Sequence, residues 1–284
     1  MNSGLVTGVV TEIAPHVRRL LAPNAGPMTG PGTNTYLLGK KEVAVIDPGP
    51  ANDGHIDAIR NSAPAAIHWI LVTHTHPDHS PAAMKLADLT GAELLGQPAP
   101  DGRHQDQQFV PNRVLQDGDL FATSEFSLRV VHTPGHASNH LCYRHEQLDW
   151  LFTGDHIMNG STVVIDPPDG NMRHYLQSLE RLKTLDLKAL APGHGELIDN
   201  PDEVVDWLID HRLGREAKVI AALQARPGAT TKQLIPAVYD DVDTTLHKPA
   251  ERSLLAHLIK LEQDGRAEQR DKAWRLKIVV DETA

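Results

Sequence analysis

Five apolar runs in this 284-residue chain end in aspartate or histidine. AVIDPG closes on Asp47, IHWILVTHTHPDHS on His74, His76, Asp78 and His79, VVHTPGH on His136, LFTGD on Asp155, and LAPGH on His194. An apolar run that stops at polar residues reads as a strand leaving a sheet, and loops at strand ends are where a scaffold presents reactive groups. Glycine or proline beside most of these residues permits sharp turns that aim several side chains at one point. One such ending says little. Five, all of metal-ligand type, restrict the fold to one that gathers these ends along one edge.

The rest of the pattern predicts how that edge is built. Strand-like runs cover 33–39, 42–49, 67–74, 92–97, 126–135, 140–146 and 149–155, with another at 188–196. Helical patterns lie between them at 53–63, 80–91 and within 172–186. Asp53 is available to cap the first helix, and Ser80, Pro81 and Gly91 suit the cap, first position and stop of the second. Alternating strands and helices predict a layered α/β domain with sheet at its centre. From about Asp202 the chain turns helical over 203–225, breaks at Pro227–Gly228, and resumes at 231–240 and 248–265. It closes on two strand-like pieces, RAEQR and AWRLKIVV, which is the order of a winged helix-turn-helix.

Composition excludes several classes. The net charge of −10 argues against general affinity for nucleic acid or anionic membrane. A single cysteine, Cys142, rules out an intramolecular disulfide. The opening segment lacks the pattern of a secretion signal, and no apolar stretch approaches the ~18 residues of a membrane span. A cytoplasmic protein with no membrane partner is expected. Seventeen histidines are the abnormal entry in the composition, and imidazole is the commonest transition-metal ligand.

The five endings resemble the sequence motifs of the metallo-β-lactamase superfamily, whose HxHxDH signature is met by His74, His76, Asp78 and His79. With GPGTNTYLLG at 30–39, DPPDGNM at 166–172 and the winged-helix-like tail, essentially the whole chain is similar to the β-lactamase-like protein 2 subgroup. The resemblance implies an α+β fold: an αββα four-layer sandwich over 1–212 and a small winged-helix-like domain over 213–284. It further implies two Zn2+ per chain, one held by His74, His76 and His136, the other by Asp78, His79 and His194, with Asp155 bridging. Asp47 would orient a ligand rather than bind metal. Imidazole and carboxylate suit zinc, and the same donors accept iron or manganese. Asp78, Asp47 and His140 are the candidate catalytic residues. The spacing of His140 from His136 would let it reach the cleft and hold a substrate anion, with core and surface positions equally open. His156 is expected to point away from the site, and Tyr175 and Cys142 to pack in the core.

Such a site implies hydrolysis by a metal-bridging hydroxide, and a small thioester or ester is the expected substrate. One alternative is an endoribonuclease acting on single-stranded RNA; another is a non-enzymatic metal-sensing, DNA-binding regulator. Iron-dependent oxidoreductases share the ligand set but normally carry a flavin domain or act on persulfides. Over 202–282 the tail has 13 Lys/Arg against 15 Asp/Glu, no basic stripe of the kind a nucleic-acid surface needs. It could instead pack on the catalytic domain, shape its cleft, or form a homodimer.

Overall fold

The computed structural model describes residues 5–102 and 104–277. A first sheet runs in chain order: β1 (Val10–Ala14), β2 (Val17–Leu21), β3 (Asn34–Leu38), β4 (Val43–Ile46), β5 (Ile67–Leu71), β6 (Glu93–Gly96) and β7 (Arg113–Val114). It is antiparallel through β4 and parallel beyond; α1 (Asp53–Ser62) and α2 (Ala82–Thr90) carry the chain back to β5 and β6, and an irregular stretch carries it to β7. The second sheet holds β8 (Leu120–Ala122), β9 (Ser127–His132), β10 (Leu141–His145), β11 (Trp150–Gly154) and β12 (Ala189–Pro192), with α3 (Met172–Leu182) between its last two strands.

Alternation along the strands builds the layers. Tyr36 and Leu38 face the second sheet and meet Val130, Tyr143 and Phe152, whereas Leu37 between them faces α1 and α2 with Ile56, Ile59 and Leu86. In the second sheet Val130 and Tyr143 face inward, while Val131 and Cys142 face α3 and its neighbours. The order helix, sheet, sheet, helix is the four-layer sandwich. Each fully buried leucine or isoleucine contributes roughly 1.5–3 kcal/mol of transfer free energy to it.

Helix α4 (Pro201–Ala225) serves two cores. Its first half gives Val205, Leu208 and Ile209 to the outer layer, and its second half gives Val219, Ala222 and Leu223 to the C-terminal unit. That unit adds α5 (Thr231–Val238), α6 (His247–Gln263), and a three-stranded sheet of β13 (Ala229–Thr230), β14 (Ala267–Arg270) and β15 (Ala273–Leu276). The division expected at 212/213 therefore falls inside an unbroken helix. Residues 278–280 of the final strand-like run lie outside the described residues.

Local details depart from expectation. Asn52, not Asp53, caps α1 by accepting from His55 N. Ser80 gives its hydroxyl to Asp106 Oδ2, and Pro81 takes the cap position of α2 without a side-chain bond. Among the described residues no helix is long and apolar enough to cross a membrane.

The two sheets are stitched together at the edge where the reactive residues emerge. Leu141 N donates to Thr73 O at 2.7 Å, Asn34 N to Gly193 O at 2.7 Å, and Tyr143 OH to Val72 O at 2.6 Å. This edge is formed by the C-terminal ends of β4, β5, β9, β11 and β12.

Candidate metal centre

Asp47 follows β4 with φ of 49°, a left-handed conformation that aspartate tolerates better than most residues. Its Oδ1 accepts from Thr73 N at 2.7 Å, and its Oδ2 accepts from Thr73 Oγ1 at 2.7 Å and His79 Nδ1 at 2.8 Å. The Thr73 hydroxyl proton is thereby committed, so His74 Nδ1 donates to Thr73 Oγ1 at 3.0 Å. One carboxylate thus fixes two rings, His79 directly and His74 through Thr73, each with Nε2 turned inward. Backbone carbonyls do the same for two more: His136 Nδ1 donates to Val164 O at 2.8 Å and His194 Nδ1 to Gly32 O at 3.1 Å. His76 presents Nδ1 instead.

The inward atoms form two sets. In the first, His76 Nδ1 lies 3.0 Å from His74 Nε2 and 2.9 Å from His136 Nε2. In the second, His194 Nε2 lies 3.2 Å from both Asp78 Oδ2 and Asp155 Oδ1, while His79 Nε2 lies 3.3 Å from Asp155 Oδ1 and 3.6 Å from Asp78 Oδ2. Asp155 belongs to both, since its Oδ2 faces His136 Nε2 at 3.6 Å. Two donors about 2.0–2.1 Å from a tetrahedral zinc would stand about 3.3 Å apart. The observed spacings bracket that value. His79 Nε2, Asp155 Oδ1 and His194 Nε2 are buried without a hydrogen-bond partner, a costly condition that a metal ion removes. The residues present fit divalent metal. All seven expected donors are gathered here, His74, His76 and His136 in one group and Asp78, His79, Asp155 and His194 in the other.

Close approach explains two glycines. A Cβ on Gly193 would sit 2.7 Å from His79 Cε1 and 2.9 Å from Asp155 Oδ1. One on Gly154 would sit 2.5 Å from Thr73 Oγ1, at a φ of 46°. The cluster opens where the Asp78 side chain retains 25% of its accessible surface.

Electrostatics separate the halves. Burial, reinforced by neighbouring imidazoles, holds His74 well below the usual histidine pKa and takes His76 down to about 3. Burial opposes charge on His79 and His194 too, but the carboxylates of Asp155 and Asp78 outweigh it. They hold His79 well above the usual value and His194 at about 10. Reciprocally, His194 and His79 overcome burial at Asp155 and keep its carboxyl well below the usual range. Apart from the shared Asp155, the first set is made of imidazoles alone, whereas Asp78 and Asp155 both stand in the second.

His140 departs from expectation. It is fully buried, its Nδ1 meets Thr133 Oγ1 at 2.9 Å, and its Nε2 accepts from Asp155 N at 3.2 Å. Both ring nitrogens are occupied behind the cluster, so His140 supports Asp155 and has no access to a substrate anion. His156 turns into packing against Tyr175, whose hydroxyl donates to His156 O at 3.1 Å. Cys142 is a buried residue of β10. Sequence reasoning missed Thr73, although a hydroxyl directly before a ligand-type histidine was legible. The carbonyls of Gly32 and Val164 have no side-chain signature at all.

Comparison with known proteins agrees with this geometry. The Metallo-beta-lactamase superfamily profile matches residues 28–194, and the beta-lactamase associated winged helix domain matches 230–274. A Beta-lactamase-like protein 2 homolog from Drosophila melanogaster is 31% identical, covering 90% of this chain and 91% of its own. An Atrochrysone carboxyl ACP thioesterase from Aspergillus fumigatus is 29% identical, covering 90% and 85% respectively. A beta-lactamase domain protein from Burkholderia ambifaria superposes with a TM-score of 0.83 at 21% identity, covering 97% of this chain and 96% of its own. Family profile, relatives and His/Asp cluster together make the chain a member of the metallo-β-lactamase superfamily, of the β-lactamase-like protein 2 kind with a C-terminal winged helix, and a metal-dependent hydrolase.

Proposed function

We propose that the chain is a binuclear zinc hydrolase that uses hydroxide as its nucleophile on a small thioester or ester. The observation that carries this reading is the sharing of Asp155, whose two oxygens face two different sets of donors. When bound, a pair of ions supplies water acidic enough to ionise near neutral pH and a Lewis acid for the substrate oxygen. The chain's own part is positioning. Asp47 and Thr73 lock His79 and His74, Val164 O and Gly32 O lock His136 and His194, and His140 holds the backbone of Asp155. Asp78, on the open side, is the second set's exposed donor. The thioester preference draws on relatives named as acyl-carrier thioesterases that align over 90% of this chain.

The tail's charges argue against a nucleic-acid role. Arg215, Lys218, Arg252, Lys260, Arg266 and Arg270 are each paired with a carboxylate, which leaves less cation for phosphate. The test is a turnover screen of the zinc-loaded full chain against acyl thioesters, simple esters, a lactam and single-stranded RNA. Thioester or ester turnover abolished by Asp78→Ala is the expected result. Cleavage of RNA alone would transfer the assignment to a nuclease.

A further inference from the structure

His136 is oriented from outside its own loop. Val164, whose carbonyl takes the Nδ1 proton at 2.8 Å, lies in the irregular stretch between β11 and α3. A carbonyl aims a ring only as well as its own backbone is held. Both neighbours of Val164 are held by α4 and α6. The Arg212 guanidinium donates to Val163 O while lying over the Tyr175 ring, 5.3 Å from its centroid. Ser253 Oγ accepts from Ile165 N at 3.3 Å, and the adjacent Arg252 pairs with Asp166 at 3.2 Å. The Val163 and Ile165 side chains are buried in one core with Leu208 of α4 and Ala256 of α6. His74, His79 and His194 take their supports from the first sheet and its loops instead.

We infer that Arg212 and Ser253 are positioning residues for His136: through the backbone of residues 163–165, the helices leading into and forming the C-terminal unit set the geometry of the three-histidine half of the site. The inference rests on the reading of His136 as a metal ligand. Loss of the Ser253 hydroxyl strands the Ile165 N–H in a buried place, and the segment must move to find water. Val164 O moves with it, and His136 loses its fixed direction. The Asp78–His79–His194 half, held elsewhere, keeps its geometry.

The test measures the two zinc dissociation constants of the full-length protein by competition against a chromophoric chelator at one pH. Ser253→Ala is compared with Arg212→Met, Arg212→Lys, His136→Ala and the Ser253→Ala/His136→Ala double variant, each checked for folding by thermal melting. Ser253→Ala is expected to weaken one zinc by about 10-fold, at the low end of the effect of residues that orient a ligand. The other zinc should change by less than about two-fold, and on the His136→Ala background Ser253→Ala should add almost nothing, as a shared pathway requires. Arg212→Met should act in the same direction and Arg212→Lys should recover part of the loss. Ser253→Ala and Arg212→Met proteins that fold and bind both ions as wild type would overturn the inference. So would a Ser253→Ala loss that persists undiminished without His136. Wild-type protein taking up less than one zinc would instead overturn the metal reading and this inference with it.

Discussion

Glu216 of α4 and Asp155 after β11 are both carboxylates almost removed from water, 4% and 7% exposed. Their company differs completely. Glu216 meets Lys260 Nζ at 2.8 Å and Arg266 NH1 at 3.2 Å, and nearby Asp264 takes Lys260 at 2.8 Å and also pairs with Arg173. Asp155, with Asp47 and Asp78, is surrounded by histidines, and among the described residues no lysine or arginine pairs with any of the three. The first assembly contains its own lysine and arginine counter-ions. The second converges imidazole and carboxylate donor atoms on two points. Its donors are imidazoles and carboxylates alone, the set that a divalent metal ion takes. Buried charge alone does not mark a functional site; convergence of metal-type donors does.

The largest expected contrast comes from deleting each carboxylate. Asp155→Ala should abolish turnover of a verified substrate and remove bound metal, with folding checked by thermal melting. Glu216→Ala should leave metal content unchanged but destabilise the protein by about 1.5–3 kcal/mol, the usual worth of hydrogen bonds to a charged group, read from urea unfolding. A Glu216 variant that lost metal, or an Asp155 variant that kept it, would break the contrast.

Acid sharpens it. Burial resists ionisation of Glu216, but His257 and Lys260 outweigh it and hold the carboxyl at about 2 against an ordinary 4.5. A depressed carboxyl stabilises the fold above its unfolded value and loses that contribution as pH falls toward the folded one. Wild type should therefore lose up to roughly 3 kcal/mol between pH 4.5 and 2 through this group, and Glu216→Gln should lack that part of the slope. Parallel slopes from pH 5 to 3 would contradict the assignment. A smaller effect is expected at Asp47, which touches Thr73 and His79. Asp47→Asn should weaken metal binding or turnover by about 10–100-fold, as loss of an orienting partner does. Chelator competition measures it.

The contrast also separates what the sequence made legible from what it hid. The seven donors could be read because each closes an apolar run, and strand ends in such a fold share an edge. β2 was not legible: VRRLL breaks the apolar pattern with Arg18 and Arg19, and only the fold supplies Glu196 at 2.8 Å to Arg19. The spacing of His140 from His136 suggested reach into the cleft, whereas its burial depends on Thr133 and Asp155, which follow the neighbouring strands β9 and β11. The end of the catalytic layer was hidden for a similar reason. Composition changes where helices begin, but α4 contributes to the cores on both sides of 212/213. The supports of His136 and His194 are carbonyls, which any residue could supply.

The central claim is that two adjoining donor sets sharing Asp155 hold two ions. Metal analysis of full-length protein, saturated with zinc and freed of loosely bound ion, tests it most directly when wild type and Asp155→Ala are measured together. The account predicts two ions per wild-type chain and a clear loss in the variant; fewer than one ion in wild type, or equal content in both proteins, would contradict it.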